Sequence, residues 1–117
     1  LAGYYQQALA ERSAGRGDQA AQLLSAAAAR FPTDPEVQML AADSLLRDRK
    51  DPQGALDALA KVTLPPGNRF MAFQHATLQA DAYEALGRKD AAAAALESVL
   101  KTFPNPRLQQ RVDALRK

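Results

Sequence analysis

Small and apolar side chains recur along this chain at the spacing of a single helix face. Ala20, Leu24 and Ala27 stand four and then three residues apart, and Ala92 and Leu96 repeat the step. Polar punctuation separates these stretches. Asp34-Pro35, Asp51-Pro52 and Asn105-Pro106 each put a side-chain acceptor at an N-cap and proline at the first helical position, where its missing N–H costs nothing. By the same capping logic Asp18 and Asp90 are expected to open two more helices, and Asn68, after Pro65-Pro66-Gly67, another. Gly15 and Gly87 follow helical stretches and can take the left-handed conformation that stops a helix. The spacing predicts helices over about 2–14, 18–30, 35–48, 52–62, 68–86, 90–102 and 106–116. Turns of about three to six residues make neighbours antiparallel, giving three helical hairpins and a last single helix. Small residues at Ala8, Ala20, Ala27, Ala80 and Ala92 let two axes approach closely at a hairpin crossing, and Leu24, Tyr83 and Leu96 fill the space that remains.

The hairpins copy one another. Gly15, Asp18, Ala20, Leu24, Phe31 and Pro32 return 72 residues later as Gly87, Asp90, Ala92, Leu96, Phe103 and Pro104, and Ala8 and Ala10 return as Ala80 and Ala82. A shorter echo at Ala42, Ala55 and Leu59 divides that offset into two periods of roughly 36 residues, the mark of stacked repeats. The middle copy has no glycine stop, and its turn, through Arg49-Lys50-Asp51-Pro52, is one residue longer.

Composition agrees with an all-helical chain, since there are 26 alanines, four valines and no isoleucine or tryptophan among 117 residues. A net charge of +2 with both signs interspersed is too small to imply nucleic acid. The one basic cluster, Arg107, Arg111, Arg116 and Lys117, reads as a solvated helix end. There is no cysteine, hence no disulfide or thiol chemistry, and the longest apolar run, Ala91 to Leu96, is far short of the ~20 residues that span a bilayer. The chain opens on leucine rather than methionine and lacks a signal-peptide pattern, so it reads as an excised piece of a longer protein from either cytoplasm or periplasm.

This arrangement resembles the tetratricopeptide repeat, a helical hairpin of about 34 residues with conserved-type small, aromatic, glycine and proline positions. Tyr4, Ala8, Gly15, Ala20, Leu24, Ala27 and Pro32 sit at those positions in the first repeat, and Ala80, Tyr83, Gly87, Ala92, Leu96 and Pro104 in the third, where Ala76 replaces the leading aromatic. The middle repeat matches with Ala42, Leu45, Ala55 and Leu59. The resemblance implies an α-α superhelix, a solenoid of about three hairpins over residues 1–34, 35–67 and 68–104, closed by a capping helix over 105–117. It also implies a concave face built from the first helix of each hairpin. By position alone, that face takes Ala2, Tyr5, Leu9, Arg12 and Ser13, then Glu36, Met39, Asp43, Leu46 and Arg47, then Gln74, Thr77, Asp81, Glu84 and Ala85. Such a groove is apolar at one end and acidic at the other. Family members that clamp a C-terminal carboxylate need lysine and asparagine where this chain has Tyr5 and Leu9, so that function is not expected. Tyr5, Leu9 and Met39 instead read as apolar anchors, with Asp43 and Asp81 as hydrogen-bond acceptors.

No catalytic constellation stands beside these positions. His75 is the only histidine, which excludes a histidine-pair metal site, and no motif links it as a base to Ser13, Ser25, Ser44 or Ser98. There is no glycine-rich phosphate loop. The expectation is therefore a non-catalytic scaffold without cofactor or metal that holds a peptide or partner helix. The alternative is a segment of a bacterial cell-envelope superhelix serving polysaccharide export or outer-membrane assembly, in which Tyr5, Phe70 and Phe73 are the aromatic platforms for a glycan. A third possibility is self-association through an uncapped apolar end.

Overall fold

The computed structural model of the protein describes residues 2–117, with residues 2–5 as backbone only. The described residues form seven helices: α1 (Ala2–Ser13), α2 (Gly17–Arg30), α3 (Pro35–Arg47), α4 (Pro52–Ala60), α5 (Arg69–Ala85), α6 (Lys89–Leu100) and α7 (Pro106–Leu115). Two compact units divide them, Leu1–Thr63 and Leu64–Lys117. Within the first, α1 packs on α2, α2 on α3 and α3 on α4; within the second, α5 packs on α6 and α6 on α7. None of the described helices is long and apolar enough to cross a membrane.

The small-residue crossings form as the pattern predicts. In the first unit Ala8, Ala20 and Leu24 share one buried cluster, with Leu23 and Leu40 against it. In the second, Ala76, Ala80, Ala92, Ala93 and Leu96 pack with Val112 and Leu115 of α7, and Tyr83, Val99, Leu100 and Leu108 close the edges. Tyr4, expected at the leading aromatic position, lies outside the described side chains.

Four helices start as their sequence predicts. Asp34 accepts from the N–H groups of Glu36 and Val37, Asp51 from Gly54, Asn68 from Met71, and Asn105 from Arg107 and Leu108. The two other capping expectations are corrected: α2 and α6 begin at Gly17 and Lys89 behind Arg16 and Arg88, neither of which caps with its side chain. Asp18 and Asp90 lie one residue inside, in the first turn, where a carboxylate meets the positive end of the helix dipole. Gln38 supplies a cap that the pattern does not announce. Its side-chain amide donates to the Ala28 and Phe31 carbonyls, at 3.1 and 3.0 Å, where the end of α2 leaves acceptors without helical partners.

The hairpin turns explain the echo and its defect. At the end of α1 the Arg16 N–H reaches the Glu11 carbonyl at 2.7 Å, and at the end of α5 the Arg88 N–H reaches Tyr83 at 2.8 Å, each closing five residues around a left-handed glycine, Gly15 at φ 80° and Gly87 at φ 76°. In the middle hairpin the closure runs from the Asp51 N–H to the Leu45 carbonyl at 2.8 Å, six residues apart. Lys50 stands in the glycine's place and adopts the same left-handed backbone, φ 54°, as the one non-glycine residue with positive φ among those described. The missing glycine does not remove the turn; it leaves it strained.

An ion pair locks this turn from outside. Asp48, the C-cap of α3, accepts from Arg12 of α1 through Nε at 2.8 Å and Nη2 at 2.7 Å, and from the Ser44 hydroxyl at 2.8 Å. The Asp48 side chain is 3% exposed, so leaving any of these groups unpaired would cost far more than a surface pair is worth. Burial opposes the charge on Asp48, but the hydrogen bonds from Arg12 and Ser44, with the nearby charges of Arg12 and Lys50, hold its carboxyl below the usual carboxylate value.

Two outcomes follow for folding. Replacing Lys50→Gly should raise stability by about 0.5–1 kcal/mol, because glycine relieves the left-handed cost and returns part of it as unfolded-state entropy, whereas Gly87→Ala should lower it by about 1 kcal/mol; urea midpoints measure both. Because folded Asp48 binds its proton less tightly than the unfolded chain, it stabilises the fold above pH ~4 and stops doing so as pH falls through the lowered value. Asp48→Asn is therefore expected to cost about 1–3 kcal/mol at neutral pH and to close the gap with the parent chain in acid, read from urea titrations at a series of pH values.

Candidate functional site

The candidate face lies on the first helix of each hairpin, and its positions follow from helix period. Leu9 and Arg12 of α1, Met39, Asp43 and Arg47 of α3, and Gln74, Thr77, Asp81 and Glu84 of α5 recur at steps of three, four or multiples of them. Tyr5 lies outside the described side chains. Leu9, Gln74 and Thr77 are half-buried, which leaves part of each side chain at the surface.

Met39 departs from the expectation. It is fully buried, at 0% exposure, and serves as one of the largest enclosed side chains rather than as an exposed anchor. The α3 register places it beside Val37 and Ala42 among the buried positions, so the family position is kept while the side chain is drawn into the core. Among the described residues the large apolar positions of the face that stay part-exposed are Leu9 of α1 and Leu46 of α3.

Of the charged residues expected on the face, Arg12, Asp43, Arg47, Asp81 and Glu84 are paired within their own unit, while Glu36 lies exposed at the start of α3. In the first unit Arg12 bridges Asp48 at 2.7 Å and Asp43 at 3.7 Å, and Arg47 donates to Asp43 through Nε at 2.6 Å one helical turn away. In the second, Arg111 of α7 places Nη2 at 2.6 Å from both Asp81 and Glu84, with its Nε at 3.2 Å from Glu84. Burial disfavours the Arg111 charge, and the hydrogen bonds to Glu84 and Asp81 more than compensate, raising its pKa above the ordinary arginine value. The acidic end expected of the groove is thus partly neutralised by a cation from the last helix. The basic C-terminal cluster is likewise not simply solvated, since Arg116 also pairs with Glu97 and Asp90.

The glycan-platform aromatics separate in the same way. Phe73 meets the Phe103 ring edge-on, with centroids 6.1 Å apart, and is half-buried. Phe70 is 77% exposed, and Tyr5, the third aromatic expected as a platform, lies outside the described side chains. His75 lies half-buried in α5 beside Ala72, Ala76, Gln79 and Tyr83, in a shallow groove of about 620 Å³ completed by Ala91, Ala94, Ala95, Ser98 and Val99 of α6.

That groove has a counterpart that sequence reasoning missed. Gln7, Glu11, Gln19, Gln22, Leu23 and Ala26 line a groove of about 330 Å³ in the first repeat, and their equivalents 72 residues on are Gln79, Tyr83, Ala91, Ala94, Ala95 and Ser98. The same face is amide-rich and acidic in one copy and alanine-lined in the other. Aligning the copies at positions where they differ, rather than where they agree, carries the signal.

Two family models, both described as tetratricopeptide repeat, match residues 5–69 and residues 78–106. No curated protein and no solved structure matches the chain. Repeats of this family generally mediate protein–protein interaction and are typically non-catalytic scaffolds. The first match by itself covers more than half of the chain, and the second falls on the hairpin of α5 and α6, which repeats the glycine turn and alanine crossing of α1 and α2; the chain belongs to the tetratricopeptide repeat family.

Proposed function

We propose that this protein is a non-catalytic scaffold that holds a peptide or partner helix against the first helices of its hairpins. The observation that carries this reading is the state of that face: Leu9, Gln74 and Thr77 remain part-exposed while the charged residues around them are held in fixed geometry by Arg12–Asp48 and by Arg111 with Asp81 and Glu84. A surface whose side chains are already ordered loses little further entropy on binding, which is the condition for affinity without a deep pocket. Gln74 and Thr77 offer donors and acceptors to a peptide backbone, and Leu9 offers apolar area.

Photo-crosslinkers placed in the whole protein at Leu9 and Thr77, with controls at the exposed Gln22 and Ala94 of the second helices, test the assignment in cells. Crosslinks from the first pair to a protein partner, and none from the controls, are expected. Crosslinks confined to the controls would sink it. The double variant Gln74→Ala with Thr77→Ala should weaken binding of that partner about tenfold, the worth of one or two lost hydrogen bonds, without lowering the melting temperature, because alanine is the better helix former.

A further inference from the structure

We infer that one end of the second unit, where the start of α5 meets the connection from α6 to α7, is a docking surface for an acidic segment of a protein partner that also carries an apolar side chain. This end lies before Gln74 on α5, and the inference stands whether or not the first helices hold a ligand. It begins from charge. Residues 64–117 contain eight lysines and arginines against five aspartates and glutamates. Each of the five acids has an internal partner: Arg111 holds Asp81 and Glu84, Arg116 holds Asp90 and Glu97, and Gln109 donates to Asp113. The charge left over in this unit is therefore positive.

Part of that charge collects at one end. Residues 64–80 and 98–112 contain no aspartate or glutamate, yet they contribute Arg69, Lys101 and Arg107, all exposed and none with a side-chain partner among the described residues. The edge-on contact of Phe73 with Phe103, centroids 6.1 Å apart, fastens the two segments together. Arg69 lies one helical turn before Phe73, and Lys101 and Arg107 lie two and four residues from Phe103, so their Cα atoms stay within about 7 and 14 Å of it even on an extended chain. Beside Arg69 stands Phe70, 77% exposed and the one large hydrophobic side chain mostly open to solvent among the described residues. Carboxylates of a partner segment meet these cations without displacing any internal pair, while its apolar side chain covers the Phe70 ring. A basic segment is repelled here, and a neutral one leaves the cations unused. A nucleic acid would use a groove of cations tracking its backbone and several rings to stack on, whereas three cations about one open ring make a patch, in a family whose repeats generally meet proteins.

The test titrates the whole chain with a short labelled peptide of aspartates and glutamates around one leucine, with its asparagine and glutamine counterpart, and with an oligothymidine of the same length. Amide shifts and fluorescence anisotropy are followed at about 50 and about 500 mM sodium chloride, a range over which exposed charge pairs are screened. Expected with the acidic peptide are shifts centred on residues 68–74 and 99–109 and an affinity that falls severalfold in high salt, with no such shifts from the neutral counterpart. Arg69→Glu with Lys101→Glu should weaken binding about tenfold or more, since an exposed pair is worth up to about fivefold and each attraction becomes a repulsion. Arg88→Glu with Lys89→Glu makes the same change of net charge about 18 Å away along α6 and should leave affinity within about twofold. Phe70→Ser should cost about threefold or more without lowering the melting temperature, because the ring is open to solvent. Equal losses from the two charge reversals, or equal binding of the neutral peptide, would overturn the inference. Tighter binding of the oligothymidine through the same residues would assign the surface to nucleic acid instead, and no shift from any probe at millimolar concentration would remove it.

Discussion

Each hairpin turns on alanines that bring two helix axes together. Ala8 and Ala20 in the first hairpin and Ala80 and Ala92 in the third are buried at 0–1% exposure, and any larger side chain there would hold the helices apart. The constraint acts on the turn as well, because a slip of one residue rotates a helix by about 100° and carries the alanine off the contact face. The middle hairpin shows how the requirement is kept. Its turn contains one more residue, yet Ala42 and Ala55 are as deeply buried as their counterparts, since the extra residue is absorbed in the six-residue closure before α4 begins. Lys50 carries the left-handed backbone so that this closure can form.

Alanine contacts bring axes close but bury little, roughly one methyl per residue against the several carbons of leucine. Stability must then come from helix propensity and from the ends, and the described residues bear that out: four side-chain N-caps, the Gln38 bridge onto the end of α2, and arginine pairs that tie α1 to α3 and α7 to α5. Among the described residues no buried side-chain nitrogen or oxygen is without a hydrogen-bond partner. Such economy suits an array of near-identical hairpins, where each interface is modest and its cost is shared.

What could be read from the sequence was local. Asp-Pro and Asn-Pro starts, glycine stops and the alanine echo all act within a few residues, and they place every helix end within two residues of where it lies. The misplaced starts, at Asp18 and Asp90, arose because an aspartate near a helix N-terminus serves either as a cap or as a charge in the first turn, and sequence alone does not separate the two. Lys50 was hidden for the opposite reason: its own preference is against the backbone it adopts, and the closure around it decides. At the candidate site the positions came from family register, whereas their state did not. Asp48 lies 36 residues from Arg12 and Arg111 lies 30 from Asp81, separations at which no spacing rule applies, and the burial of Met39 depends on what packs over α3 rather than on its neighbours in the chain.

The same arginines that join one helix to the next also take up charge on the face that we propose meets a partner. Arg12 is needed to satisfy a carboxylate that is almost wholly out of solvent, and it cannot both do that and hold a ligand's anion. Arg111, reaching from α7, occupies the two carboxylates that would otherwise attract a cation. In a repeat fold the faces that contact ligand and the faces that contact neighbouring repeats share helices only three or four residues apart, so charge placed for cohesion is charge withdrawn from recognition. Where cohesion rests on alanine, which contributes little burial, arginine pairs have to make up the difference.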